Sequence, residues 1–422
     1  MKTEVVGARS IREDAWGKVF GQAKYPADVN LPGQLYGVVV RSPHAHARIR
    51  GINVEKARIS GVVSILTAAD VAHNAHGVLF RDQPVLAGER VRMVGDPVVA
   101  IGAESIKLAR KAAELVEIDY EILPGVFDPE ESMRGSSLPL HPELYPDTNI
   151  LYHLPVRRGN MDEGWALAEV VVEREYSTQM VDHAFLQPEA VLAHVDERGH
   201  VVVQVATQYA HYDRGEIAHA LGLKNNRVQV KTTAVGGAFG GREDLSLQII
   251  AALMAWKTLR PVKLENTREE SFYSHSKRHP MKMYFKTGAA KDGRLLALEA
   301  KIIGDAGAYT SWSPNILRKA AVHATGPYTI PNVKVDSYAV YTNNPYTGAM
   351  RGFGAAQPVL AYESQMDLLA KKLGISPVEI RLRNLFKVGS TTATGQVLTE
   401  SVGLEACLKA VLPYLADKEG QK

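Results

Sequence analysis

The chain has 422 residues, of which 45% are hydrophobic and 23% charged, and its formal net charge is +3. Such a small net charge gives no support for a protein that binds nucleic acid or a membrane surface. The one cysteine, Cys407, excludes an internal disulfide, a cysteine-rich zinc site and an iron–sulfur cluster, so a redox metal would need ligands from a cofactor or another chain.

The start of the chain and its apolar runs bear on location. The first residues, MKTEVVGARSIRED, are charged and lack the apolar core of an export signal, so we expect a cytoplasmic protein. The longest apolar stretch lies around residues 245–256. It is shorter than the roughly 20 residues that cross a membrane, and it therefore predicts a buried helix.

Residues 1–125 combine strand-like runs with helical spacing. Valine-, leucine- and isoleucine-rich runs predict strands at 35–40, 62–66 and 96–101, and apolar spacing predicts a helix over 104–116. This indicates an α/β (α+β) domain of ordinary size. Residues 126–160 are rich in proline, glycine and aspartate and show no period, which predicts a connecting segment.

Strands and helices alternate over residues 161–422 without a strict βαβ rhythm. The pattern predicts strands at 170–172, 201–205, 227–235 and 295–303, and helices at 210–221 and 357–373. The last helix should end at Gly374, a residue favoured at helix C-termini. Ser376, Pro377 and Glu379 then form a capping pattern that predicts a further helix.

A glycine-rich segment, GGAFGGRE at residues 236–243, follows a predicted strand and is expected to open a helix. The dinucleotide fingerprint fails at Ala238, and the phosphate-loop pattern fails at Arg242 and Glu243. A tight turn is the simplest interpretation, but four glycines exceed what a turn needs. Close approach of the backbone to a ligand explains the excess better.

A second cluster, AMRGFGAAQ at residues 349–357, also lies between a predicted strand and a predicted helix. Alone it would indicate only a turn. Two such clusters before helices suggest one site lined by backbone amides, suited to an anionic or oxo-bearing ligand.

The two clusters resemble cofactor-contact loops of the molybdenum hydroxylases, the xanthine dehydrogenase and aldehyde oxidoreductase family. The loops that match are GGAFGG at 236–241 and RGFG at 351–354. Shorter matches lie in family order at 18–21, 23–25, 31–33, 41–43, 45–47, 187–189, 207–208, 277–280, 304–307, 394–396 and 401–403. The resemblance implies that 1–125 is the family's α/β hammerhead domain and that 161–422 is the first half of its molybdopterin-binding region.

The resemblance also implies a molybdopterin cofactor, in the cytosine dinucleotide form usual for bacterial relatives. Its dithiolene sulfurs would hold the molybdenum, so no protein metal ligand is expected. By motif, Gln208 would hydrogen-bond an oxo ligand, although a polar residue at a strand end is the alternative. The cofactor-binding loop would comprise Gly237, Ala238, Phe239 and Gly240. In the second loop, Arg351 would contact the cofactor through its backbone amide.

Substrate-facing residues are implied in the same way. Phe353 matches an aromatic that packs against the substrate ring, although a plain core role is the alternative. Glu243 matches a position where purine-hydroxylating members bind the heterocycle with a glutamate; the alternative is an acid in the first turn of a helix, favoured by the dipole. Lys319 or Arg318 lies where purine enzymes place a substrate-facing arginine, and the alignment is ambiguous by one residue.

One catalytic element of the family is absent from the sequence. Its general-base glutamate lies in a Gly-x-Gly-Glu type motif that this chain lacks, and the family subunit is nearly twice as long. We therefore expect that glutamate on a second molybdopterin-binding subunit, as in split nicotinate dehydrogenases. An iron–sulfur subunit and an FAD subunit would complete the enzyme.

The implied reaction is hydroxylation of an N-heteroaromatic substrate, a purine such as xanthine or nicotinate, with water as the oxygen source. An aldehyde oxidoreductase subunit and a non-catalytic scaffold are the alternatives. Carbon monoxide dehydrogenases carry a cysteine in the loop corresponding to 349–354, and this chain has none there, which argues against that branch.

Overall fold

The computed structural model describes residues 5–135 and 137–414 of the chain. The strands are β1 (Leu35–Arg41), β2 (Ala47–Asn53), β3 (Val62–Leu66), β4 (Arg90–Val91), β5 (Pro97–Ala103), β6 (Glu117–Ile122), β7 (Ile150–Arg158), β8 (Val170–Ser177), β9 (Ala190–Val195), β10 (Val201–Val205), β11 (Val228–Thr232), β12 (Val262–Glu265), β13 (Met281–Ala289), β14 (Leu295–Gly307) and β15 (Asn332–Tyr341). The α-helices are α1 (Ala15–Val19), α2 (Ile106–Ala113), α3 (Pro129–Met133), α4 (Met161–Leu167), α5 (Ala210–Ala220), α6 (Gln248–Thr258), α7 (Arg268–Ser274), α8 (Ser313–Val322), α9 (Gln357–Leu373), α10 (Pro377–Asn384) and α11 (Leu404–Val411).

A seven-stranded mixed sheet runs in the order β11-β10-β9-β12-β1-β5-β3. Three of its strands come from the first 125 residues, and β12 joins the two groups by pairing in parallel with β1. All seven residues of β5 are buried, as expected for an interior strand covered on both faces. The apolar run predicted as a buried helix is α6, which packs on β9 and β10. The sheet therefore crosses the predicted domain boundary at residue 125, and that boundary stays a prediction.

The second sheet has five strands in the order β7-β15-β14-β13-β8. Helices α8 and α9 pack against it. The first seven residues of strand β13 alternate between buried and partly buried, the period-two pattern of a strand with one face in the core. This sheet and its helices carry the second glycine cluster, because that cluster lies between β15 and α9.

Buried carboxylates join the N-terminal part of the chain to the five-stranded sheet. Asp82 Oδ2 accepts hydrogen bonds from the hydroxyls of Thr310 and Tyr341 at 2.6 and 2.9 Å. Asp96 Oδ2 accepts one from the hydroxyl of Tyr309 at 2.8 Å. A buried carboxylate is costly without such partners, so these bonds fix how the first 125 residues sit against the rest. A smaller sheet, β4-β2-β6, lies in the N-terminal part.

Residues 126–160, predicted as a connecting segment from their lack of a period, contain helix α3 and strand β7, and the bounds of that segment stay a prediction. Strand β7 pairs antiparallel with β15, and Pro155 stands opposite Asp336. Proline is tolerated there because β7 is an edge strand, where one row of N–H groups needs no partner. The prolines therefore concealed strand β7 in the sequence, and its pairing partner, β15, lies far along the chain.

The first glycine cluster does not open a helix, contrary to the expectation from the sequence. Strand β11 ends at Thr232 and helix α6 begins at Gln248. Gly237, Phe239 and Gly240 have φ values of +106°, +54° and +103°, which a right-handed helix cannot contain. The interpretation of Glu243 as an acid in a helical first turn therefore fails.

Candidate active site at two glycine loops

The first glycine loop, residues 236–241, is held in a conformation that requires glycine at Gly240. Its φ is +103°, and a Cβ there would lie 2.6 Å from the carbonyl oxygen of Ala349. No side chain fits such an approach without moving one of the two backbones. Gly240 therefore permits the close approach of a second loop, residues 349–354.

The two glycine loops are joined by a backbone hydrogen bond. The N–H of Arg351 donates to the carbonyl of Phe239 at 2.8 Å. In this structure the amide of Arg351 is bonded to Phe239, and the contact predicted for it with the cofactor stays a prediction. The carbonyl of Arg351 accepts from the guanidinium of Arg278 at 2.8 Å. Arg351 ties the loops together through its backbone, and its side chain is exposed.

Gln208 follows strand β10 and contacts the first glycine loop through its side-chain oxygen. That Oε1 accepts from the backbone N–H groups of Gly240 and Arg242, at 3.1 and 3.3 Å. Because both donors are amides, the oxygen must face the loop and the NH₂ group must face away from it. Nε2 donates to Glu243 Oε1 at 3.4 Å. The amide is thus oriented with its donors toward the exposed side of the loop.

Glu243 lies beside Gln208 and is half-buried. Burial, with a smaller contribution from neighbouring Asp244, raises its pKa to about 7, and a hydrogen bond with Tyr209 opposes the rise. Burial likewise raises the pKa of Asp244 to about 6, although the Ser311 hydroxyl donates to both of its oxygens at 2.8 and 2.9 Å. A carboxyl with a pKa near 7 can donate or accept a proton at neutral pH.

Phe353 lies in the second loop, and its aromatic ring is contacted by a tryptophan and approached by a lysine. Its φ is +47°, outside the usual range for a bulky residue. Trp312 packs edge-on against its ring at a centroid distance of 5.7 Å. Lys319 Nζ lies 5.9 Å from the ring centre. Arg318 and Lys319 are both exposed on α8, and it is Lys319 whose ammonium group approaches the Phe353 ring.

Residues 182–189, which precede β9, pack against the first glycine loop. The sequence alone assigned no role to this segment. Gln187 Oε1 accepts from the N–H of Gly236 at 2.7 Å. The Arg242 guanidinium donates to Gly237 O at 2.9 Å and lies 4.3 Å from the Phe185 ring centre. The only signal was the match at 187–189, because this segment has neither a helical nor a strand period.

Donor groups in the first loop fit an oxygen-rich ligand. No described residue accepts a hydrogen bond from the N–H groups of Gly237, Ala238 or Phe239. The Phe239 side chain is 50% exposed, so this loop faces open space. Free backbone donors in a loop with positive φ values are typical of anion sites. The residues predicted for the cofactor therefore fit an oxo- or phosphate-bearing group.

Within the described residues, no cluster of three or more His, Cys, Asp or Glu side chains could hold a metal ion. None of the helices in the described ranges has the length and hydrophobicity that a bilayer crossing requires.

Comparison with known protein families shows to which family the chain belongs. Residues 141–385 match the molybdopterin cofactor-binding domain, and residues 20–124 match the a/b hammerhead domain of aldehyde oxidase and xanthine dehydrogenase. The chain belongs to the molybdenum hydroxylase family. This confirms the family implied by the glycine clusters and the shorter matches, and the α/β fold class predicted for the chain, and it places the chain among oxidoreductases.

Relatives in this family differ in how much of them the chain spans. The chain is 43% identical to the nicotinate dehydrogenase large molybdopterin subunit of Eubacterium barkeri, over 95% of this chain and 94% of that one. It is 38% identical to a probable xanthine dehydrogenase subunit of Bacillus subtilis (strain 168), over 89% of this chain but 50% of that one. The chain also superimposes on the structure of the aldehyde oxidoreductase from Desulfovibrio gigas with a TM-score of 0.91 and 30% sequence identity. That superposition covers 96% of this chain but 46% of the other.

Proposed function

We propose that this chain is the molybdopterin-binding subunit of a molybdenum hydroxylase that acts on an N-heteroaromatic substrate, a purine such as xanthine or nicotinate. The observation that carries the proposal is Glu243, which accepts a hydrogen bond from Gln208 beside the first glycine loop and whose pKa is raised to about 7. An aldehyde has no ring nitrogen for this carboxyl to bind.

A molybdopterin cofactor, when bound, supplies the two-electron oxidation of a ring carbon with oxygen from water. The free N–H groups of Gly237, Ala238 and Phe239 would hold its oxygen atoms. Gln208 would add a side-chain donor, since an amide nitrogen carries two N–H groups and Glu243 accepts only one of them. The second loop bonds Phe239, and Gln208 is bonded to the first loop, so these groups are held in advance and need not reorganise when charge develops.

The substrate ring would be held by the chain's other site residues. Phe353 offers a ring face or edge for packing. Glu243 would bind the heterocycle, accepting from a ring N–H when ionised and donating to a bare ring nitrogen when neutral. Lys319 would attract a carboxylate or an anionic ring at the side of Phe353. These assignments predict that binding energy is concentrated in the three side chains.

Partner chains would complete the enzyme. The general-base glutamate is proposed on a second molybdopterin-binding subunit, because this sequence lacks the motif that carries it. Iron–sulfur clusters and FAD are proposed on further subunits, since a single cysteine cannot ligate a cluster. The cytosine dinucleotide form of the cofactor belongs to the same proposal. The Eubacterium barkeri relative, named as a large molybdopterin subunit, supports this division.

The decisive experiment is to purify the chain with its co-expressed partners and to measure molybdenum together with turnover of hypoxanthine, xanthine, nicotinate and benzaldehyde, using a dye as acceptor. Molybdenum in the preparation and turnover of a heteroaromatic compound are expected. Turnover of benzaldehyde alone would favour the aldehyde alternative. An active preparation without molybdenum would contradict the proposal, and an intact, inactive complex without molybdenum would indicate a scaffold.

Replacing Lys319 with methionine is expected to lower kcat/KM for an anionic substrate such as nicotinate by about tenfold or more, because a charge-assisted contact is lost. Arg318→Met is the matched control, since it removes the same charge one residue earlier on an exposed face. Steady-state kinetics on the two variants compare them directly. An equal loss in both would show that α8 acts through its general charge.

A further inference from the structure

A histidine beneath the active-site loops contacts both of them. His183 Nε2 lies 2.7 Å from the carbonyl oxygen of Ala349 in the second glycine loop. On the other side, Gly241 of the first loop lies so close that a Cβ there would be 2.9 Å from His183 Cγ. One buried ring therefore bonds one loop and supports the other.

The chemistry of the contact defines the state of the ring. A carbonyl oxygen can only accept, so Nε2 carries the proton. Burial lowers the pKa of His183, which favours the neutral ring with a bare Nδ1. No described residue pairs with that buried Nδ1. An apolar side chain would avoid this cost, so packing alone gives no reason for a histidine here.

The surroundings hold the ring and its acceptor in place. The next ring below, His275, has its centroid 5.5 Å from that of His183. Lys277, buried beside it, pairs with Asp182 at 3.0 Å. The carbonyl of Lys277 accepts from the N–H of Gly348, immediately before the second loop, at 2.9 Å. The floor under the loops is thus a packed polar cluster, and His183 is the member that reaches both loops.

We propose that His183 is a positioning residue: its neutral ring sets the separation of the two glycine loops and so keeps Gln208, Glu243 and Phe353 in register around one site. The effect of His183 on catalysis rests on the proposed function, whereas its effect on the separation of the loops does not. The ring acts through the backbone at Ala349 and Gly241, without touching substrate or cofactor. Displacements on the order of 1 Å in such sites can lower turnover about 100-fold.

The test is hydrogen exchange on the full-length chain, with peptides that cover both loops. The N–H groups of Gly240, Gly241, Arg242, Arg351 and Phe353 are hydrogen-bonded within the loops or to Gln208. In His183→Leu we expect them to exchange about three- to tenfold faster, the effect of losing one ordinary hydrogen bond. His183→Gln, whose Nε2 can still reach Ala349 O, should restore most of the protection.

A matched control is His46→Leu, because His46 is also buried and also bonds a backbone carbonyl, that of Pro124, but lies in the N-terminal part of the chain. It should leave exchange in both loops unchanged. Should His183→Leu fail to fold, His183→Asn takes its place, since its shorter side chain cannot reach the carbonyl. Unchanged loop exchange, or a uniform increase across the chain, would overturn the proposal.

Molybdenum content of the co-expressed complex gives a second readout. His183→Leu should lower it and His183→Gln should restore it, with the His46 control unaffected. Exchange in the chain does not require metal. Faster loop exchange with no molybdenum in any variant would therefore contradict the proposed function and leave the role of His183 standing.

Discussion

Gly240→Ala is expected to abolish turnover and cofactor retention. Its Cβ would lie 2.6 Å from the carbonyl oxygen and 2.7 Å from the carbonyl carbon of Ala349, and the φ of +103° disfavours any side chain. The backbone strain alone costs about 1–3 kcal/mol. The clash must also separate the loops, which should lower turnover by about 100-fold or more. Molybdenum content and steady-state kinetics of the purified complex measure both effects.

A matched glycine separates strain from the loop contact. Gly374 ends α9 with a φ of +69°, and nothing lies within 4 Å of the position that a Cβ would take. Gly374→Ala should therefore cost about 1 kcal/mol of stability, for the left-handed backbone alone, and should retain molybdenum. Equal molybdenum contents in the Gly240 and Gly374 variants would show that contact between the loops does not support the site.

Glu243→Gln is expected to lower kcat/KM for the heteroaromatic substrate by about 10- to 100-fold, because a charge-assisted hydrogen bond is lost while the shape is kept. Benzaldehyde, which has no ring nitrogen, should be affected much less. Glu175→Gln on the exposed face of β8 is the control, since it removes a carboxylate away from the loops. An equal loss with both substrates would show that Glu243 is structural.

The same substitution should change how stability depends on pH. The pKa of Glu243 rises from 4.5 to about 7 on folding, mainly through burial, so between these values the native state binds more protons than the unfolded state. Stability from this group is therefore present below pH 4.5 and is lost as pH rises to 7. Glu243→Gln should lose less stability over that window than the wild type. Urea unfolding at several pH values tests the difference, and parallel curves would contradict the raised pKa.

Much of the fold could be predicted from local patterns. Apolar runs located the interior strands and the buried helix α6, and Gly374 and Ser376 marked the end of α9 and the start of α10. Such features depend on residues close in sequence, so a period or a cap reveals them. Strand β7 was missed because its stabilising partner, β15, lies more than 170 residues later, and its prolines conceal the pattern.

The candidate site divides in a similar way. The two glycine clusters, Gln208 and Glu243 stand out in the sequence because their spacing is compact and matches family motifs. His183 does not stand out, and Gln187 does so only as part of a short family match, since the roles of both depend on backbone groups of distant loops. The occupied amide of Arg351 could not be foreseen either, because its acceptor, Phe239, is over a hundred residues away.

The sequence by itself determined that this chain carries a molybdenum hydroxylase pattern without its own cluster ligands or general-base motif. One cysteine and the missing glutamate motif are facts of composition, and no folding can add a side chain. Only the tertiary structure decided how the parts meet. In the folded chain Lys319 approaches the ring of Phe353, burial raises the pKa of Glu243, and His183 lies between the two glycine loops. Each of these depends on packing between segments far apart in the chain, which local patterns do not encode.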